Sequence, residues 1–166
     1  MVSRTFLAGG LAFLVVSGCD PFAPGDPEAP TVAGTAQSAK RVDDVPRLWA
    51  KGLVEENTVQ TQVLVAESFQ ATSGSVPTSL SKFSDCLGKL ASEGVDSAAF
   101  AWRGTPSGTT DSVTGDVDWT LLKVGGARFG GRATWSIVRD DAAEWRLARW
   151  TEPATSGNWS DACGGF

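Results

Sequence analysis

Sulfur and carboxylate are the reactive groups this chain has to work with. Its 166 residues include three cysteines and 19 Asp plus Glu, but no His and no Tyr. Without histidine, the commonest general base and the commonest metal ligand are missing together. Two thiols lacking a His partner also make a poor zinc set, so no metal site and no cofactor are expected. Acid–base work would fall to a lone carboxylate in an apolar setting, and Asp116, Asp118 and Glu67 are the candidates within regular segments. Each has a plainer reading as a solvated or capping group, so no residue is assigned a catalytic role.

The three cysteines have different surroundings. Cys19 ends a segment with one basic residue, Arg4, and an apolar run from Phe6 to Val16 interrupted by Gly9 and Gly10. Such a run has the length of a signal-peptide core and is too short to cross a bilayer of ~30 Å comfortably. Ser17 and Gly18 leave the backbone beside the cysteine uncrowded, as a signal peptidase requires. Val16-Ser17-Gly18-Cys19 resembles the bacterial lipobox. The resemblance implies cleavage after residue 18 and a diacylglycerol thioether on Cys19; an ordinary signal peptide with a chance cysteine is the alternative. Two or three acyl chains give firm anchoring, since each buried methylene contributes about 0.8 kcal/mol. The expected address is the cell envelope, with the protein lipid-anchored to a bacterial membrane and its domain facing periplasm or exterior. Asp20 resembles an inner-membrane retention signal, but that rule differs between bacterial groups, and the choice of membrane stays open.

Cys86 and Cys163 then lie outside the reducing cytosol, where disulfides persist. A bridge between them would close a long loop, worth about 4 kcal/mol in the chain-entropy model. Two separate buried thiols are the alternative. Loss of Arg4 with the signal leaves 13 basic against 19 acidic residues, a charge of −6. An acidic chain without a Lys/Arg cluster argues against nucleic acid and against a basic patch for anionic lipid headgroups.

The elements that must position these groups follow in three blocks: residues 1–18 as signal, 19–42 as a tether, and 43–166 as one domain. The tether reads "DPFAPGDPEAPTVAGTAQSAKR" after Cys19, with four prolines before residue 31, and such chain remains extended. "DDVPRLWAKGLVEEN" predicts a helix with Asp44 as N-cap, Pro46 in the first turn, and Leu48, Trp49, Gly52 and Leu53 on one stripe. "TVQTQVLVAESF" predicts a second, with Val59, Val63 and Ala66 on one face and Phe69 closing it. "PTSLSKFSDCLGKLASEG" predicts a third, with Leu80, Phe83, Leu87 and Leu90 at helical spacing and Gly94 as stop. Beyond Val95 the pattern is strand-like. "AAFAWRG", "DVDWTLLKVGG", "GGRATWSIVRD" and "EWRLARWTE" are short β-rich runs separated by turn residues, in which Ala133, Trp135, Ile137 and then Trp145, Leu147, Arg149 alternate. The expected class is α+β, with N-terminal helices packed on a curved antiparallel sheet.

Helices followed by curved strands ending in "GRATWSIVRDDAAEWRLARWTE" resemble the nuclear-transport-factor-2-like, or SnoaL-like, superfamily of cone-shaped α+β domains. More narrowly, lipobox, proline-rich spacer, Trp145-x-Leu147-x-x-Trp150-x-Glu152 and a final "NWSDACGGF" resemble uncharacterised bacterial lipoproteins of this fold. Ser160 after Trp159 and the Cys86 and Cys163 pair depart from that pattern. The resemblance implies a concave sheet around an apolar pocket, where enzymes of the superfamily place an Asp, a His or a Tyr.

Trp102, Trp119, Trp135 and Trp145, four of seven tryptophans, fall in the strand-like runs and would fill the core or line that pocket. A tethered, non-enzymatic lipoprotein that binds a small apolar ligand or an envelope protein is therefore expected. A small envelope enzyme using a pocket carboxylate and a structural accessory subunit of an envelope complex are the alternatives.

Overall fold

The computed structural model describes residues 36–74, 76–154 and 159–164. Cys19, the signal segment and most of the tether lie outside the described residues. Among the described residues, the Gln37 N–H donates to Gln60 Oε1 at 2.7 Å, and Ala39 bridges to Trp145.

Helix α1, Asp44–Val54, carries the predicted stripe, with Leu48, Trp49, Gly52 and Leu53 buried. Asp44 does not cap it: Asp43 is the N-cap, and Asp44 is the first helical residue. The Asp44 carboxylate instead accepts from the Lys40 and Arg41 N–H groups at 3.2 and 2.9 Å and meets Arg47 at 2.9 Å. The Arg47 guanidinium holds its carboxyl below the usual range.

The second helical expectation is half right. Helix α2 covers Thr58–Val63 only, capped by the Asn57 side chain, which accepts the Gln60 N–H at 3.0 Å. The chain then becomes strand β1, Val65–Ser73. Val59 is exposed, while Gln60 and Thr61 are the buried residues of α2. The apolar spacing at 59, 63 and 66 mimics a helical period, but burial of Phe69 and Ala71 in a sheet decides the conformation, because tertiary packing outweighs local propensity. A short strand β2, Val76–Thr78, pairs with β1, so two strands intervene before the third helix.

Helix α3, Leu80–Glu93, matches expectation except at Leu80, which opens the predicted stripe but is exposed. Ser79 caps its start by accepting the Lys82 N–H, Phe83, Cys86, Leu87 and Leu90 are buried, and Gly94 at φ +77° ends it, a conformation glycine adopts without strain. The remaining strands are β3, Val95–Trp102; β4, Ser107–Gly108; β5, Ser112–Lys123; β6, Arg128–Arg139; and β7, Trp145–Thr151. A last short helix, α4, covers Trp159–Ala162.

The sheet order is β2-β1-β7-β6-β5-β3, with β4 on β5. Every described pairing is antiparallel except β1 with β7, which run parallel. Register shifts interrupt the ladder between Ser136 and Ile137 and between Val65 and Gln70. Such bulges bend strands and increase twist, curving the sheet. The bulge opposite Ile137 also breaks the alternation expected in β7: Trp145 and Leu147 are buried, Arg149 is exposed, and Trp150 turns inward in its place. The result is an α+β domain with helices packed against one face of a curved, largely antiparallel sheet.

Candidate functional site

The inner face of the sheet is built from two cross-strand rows. Across the middle, Ala71 on β1, Trp150 on β7, Trp135 on β6 and Gly115 on β5 stand opposite one another. In the other row, Phe100 on β3 faces Trp119 on β5, which faces Gly131 on β6. On the β5–β6 pair each indole thus opposes a glycine, which gives two large rings room on adjacent strands. A Cβ at Gly115 would come within 2.9 Å of Pro106 and 3.1 Å of the Trp102 ring.

The helices supply the rest of the cluster. Trp49 of α1 lies 6.0 Å from Trp135 and 6.1 Å from Trp150 between ring centres, and Phe83 of α3 lies 5.7 Å from Trp150. Trp159 of α4 closes the group at 5.1 Å from Trp150 and 5.3 Å from Trp119. Trp49, Trp119, Trp135, Trp150 and Trp159 are each 1% exposed or less. Rings of this size bury roughly 150–250 Å² each, which at about 25 cal/mol per Å² stabilises by several kcal/mol per ring. Against that, these five indole N–H groups and that of Trp102 make no hydrogen bond among the described residues. An unmade bond costs about 1–3 kcal/mol, less than the several kcal/mol that burial of each ring supplies. The area term wins, so the rings are retained as core.

Of the four tryptophans singled out from sequence, Trp119 and Trp135 join this cluster. Trp102 is half-buried and edge-on to Trp135 at 6.1 Å. Trp145 is buried at the start of β7, where its backbone N–H donates to Ala39 O at 2.8 Å, and it shares none of the ring contacts above. Trp49, Trp150 and Trp159 complete the group, and the sequence does not assign them to it. Their distance along the chain hides the convergence.

At the edge of the cluster lies a niche of about 10 Å³, lined by Ser73, Thr78, Phe83, Trp150, Glu152 and Trp159 among others. Such a space admits about one water. Glu152, 1% exposed, is its chemically distinctive group. Its two carboxylate oxygens each lie 2.8 Å from the Trp159 backbone nitrogen, and the Ser73 hydroxyl donates at 3.0 Å. Burial pushes its carboxyl up to about 7, against the lowering effect of those two donors; the Trp150 indole lies near enough to favour the ion without reaching hydrogen-bond geometry.

The carboxylates expected from sequence are elsewhere. Asp116 and Asp118 stand on the exposed outer face, where Asp116 accepts from Thr134 Oγ1 at 2.7 Å and Asp118 from Arg132 Nε at 3.3 Å. Glu67 is exposed on β1. The sequence presents Glu152 only within the motif after Trp150. The signal available is a lone acid two residues beyond an inward tryptophan, at the end of an apolar strand.

Cys86 of α3 is bonded to Cys163, just beyond α4, with Cα atoms 5.4 Å apart. The bridge and the Glu152 contact hold α4 from two sides. Among the described residues no group of three His, Cys, Asp or Glu could hold a metal ion. A surface groove of about 330 Å³ runs between α3 and the α2–β1 turn, lined by Val65, Ala66, Leu80, Phe83 and Leu87 with Gln62, Glu67 and Ser84, and Leu80 there is 40% exposed.

No family model matches this chain, and no curated protein matches it. Solved structures do. A conserved protein from Planctomyces limnophilus DSM 3776 superposes with a TM-score of 0.59 at 14% identity, over 70% of this chain and 94% of its own. A candidate scytalone dehydratase from Novosphingobium aromaticivorans DSM 12444 gives 0.56 at 8% identity, over 66% and 78%. A nuclear transport factor 2-like superfamily protein from Salmonella enterica serovar Typhimurium LT2 gives 0.51 at 10% identity, over 68% and 88%. At these identities the likeness is one of fold, and the chain has the nuclear-transport-factor-2-like fold.

Proposed function

We propose that this protein is a membrane-tethered cell-envelope lipoprotein whose domain is a non-enzymatic binding module for an envelope protein. The observation that carries the reading is the filled interior: five tryptophans at 1% exposure or less occupy the space where a ligand pocket would lie, and the niche beside them has room for about one water. Small-molecule pockets run from about 300 Å³ upward, so a ligand of ordinary size has no place inside the closed domain. Recognition then falls to the outside. The outer sheet face is a polar ladder, with Thr114 to Ser136 at 3.0 Å beside the Asp116–Thr134 and Asp118–Arg132 pairs. The groove beside Leu80 is the apolar alternative with room for partner side chains. The lipobox-like stretch and proline-rich spacer support the tether. Photo-crosslinking in intact cells tests the reading, with the probe at Leu80 in the groove and, separately, at Thr120 on the outer face. A discrete protein adduct from one of the two positions is the expected outcome and names the surface used; no adduct from either position contradicts the reading.

A second reading keeps an enzyme in view, because Glu152 sits in an apolar niche with its carboxyl raised to about 7, the range a general base needs. Its 1% exposure opposes this, since substrate must reach the base. Turnover abolished by Glu152→Gln in the folded protein would favour the enzyme.

A further inference from the structure

Glu152 joins three parts of the domain. It follows β7, its carboxylate takes the Ser73 hydroxyl at the end of β1, and it takes the backbone N–H of Trp159 at the start of α4. Ser73 Oγ in turn lies 3.5 Å from Ser160 Oγ. The groups that face the carboxyl are neutral on most sides: Thr72 and Ser73 from β1, Thr78 from β2, Phe83 from α3 and Trp150 from β7. The charged group whose field acts on it is Asp161 of α4, and it repels. A buried carboxylate with an acid for its charged neighbour is costly to ionise, whereas the neutral acid fits: one oxygen still accepts from Trp159, and the O–H donates to Ser73 Oγ.

We propose that Glu152 is a proton-operated clamp on α4: protonated, it holds Trp159 in the aromatic interior, and ionised, it loosens α4 locally while the rest of the sheet stays closed. The motion is hinged rather than a release, because the bond from Cys163 to Cys86 keeps the far end of α4 on α3. Opening would uncover the faces of Trp119, Phe100 and Phe83 that Trp159 now covers. The inference rests on the Glu152 geometry and is independent of the proposed protein partner.

Three states fix the sign. Below the ordinary glutamate range the acid is protonated whether α4 is closed or open, and the clamp is strongest. Between that range and the closed-state value, the open form gives up the proton and the closed form keeps it, so opening grows with pH, by up to tenfold per unit. Above the closed-state value both are ionised and opening levels off.

Amide hydrogen exchange of the oxidised domain, residues 20–166, from pH 5 to 8.5, tests this after correction for base-catalysed intrinsic exchange. The Trp159 amide is expected to open on the order of 100-fold more often at pH 8 than at pH 5, while Val117 and Ala133 amides in the central strands stay flat. Glu152→Gln should flatten the Trp159 profile, and Asp161→Asn, an exposed change, should move its midpoint to lower pH. A flat wild-type profile, a Trp159 slope shared with Val117, or an unmoved midpoint in Asp161→Asn overturns the clamp. Should Glu152→Gln fail to fold, the wild-type contrast between Trp159 and Val117 and the Asp161→Asn shift still decide.

Discussion

At the residue scale the decisive fact is that Glu152 is inside while Asp116, Asp118 and Glu67 are not. Glu152 ends an apolar strand and is covered by Trp150 and Trp159, so its neutral form is favoured in the folded state. With its carboxyl raised from 4.5 to about 7, the contribution of Glu152 to folding stability is full below pH 4.5 and falls as pH rises through 7, by about 3 kcal/mol at most. Glu152→Gln should remove that loss, so urea unfolding at pH 5 and pH 8 is expected to give different midpoints for the wild type and matching ones for the variant. Wild-type midpoints that rise with pH would contradict the assignment. The sequence cannot single out Glu152, because its burial depends on Trp159 and Ser73, and Ser73 reaches it from far along the chain. In the sequence the exposed Asp116 and Asp118 look equivalent to it. By contrast Trp119 and Trp135 are legible as inward residues, because strict alternation along β5 and β6 sets their face.

At the element scale, α3 and the long strands from β3 to β7 are readable from caps, apolar period and turn residues. Helix α2 is not. Its apolar spacing continues into β1, and the sheet claims the chain from Val65 because pairing with β7 buries Phe69 and Ala71. The α1–α2 contact gives a prediction in which two effects oppose. In a helix, Gly52→Ala would ordinarily stabilise by about 0.5–1 kcal/mol. Here the new methyl would meet Gln60 Cγ and Thr61 Cγ2 at 3.0 Å, and Gln60 is held by two hydrogen bonds with Gln37. Overpacking costs about 1–3 kcal/mol and should win, lowering Tm by several degrees; a raised Tm would show that α2 yields. The Cys86–Cys163 bond spans 77 residues, so replacing both with Ser should cost about 4 kcal/mol, read as a lower urea midpoint. An unchanged midpoint would mean that the bond adds nothing to the packing of α4.

At the scale of the whole molecule, the tether and the filled interior belong to one account. On the proposed reading a lipid anchor would fix where the domain works, and the closed core would leave recognition to its surface. Cys19→Ala is expected to move the chain from the membrane to the soluble fraction on cell fractionation; retention in the membrane would remove the lipid anchor from the account. The interior itself is tested most directly by native mass spectrometry of the mature chain extracted gently from its own membrane. The account predicts the mass of the lipidated, singly bridged chain with no small molecule retained in the domain. A retained molecule that is lost from the Trp159→Phe variant, or that an added aromatic ligand displaces, would show an occupied pocket and contradict the filled core.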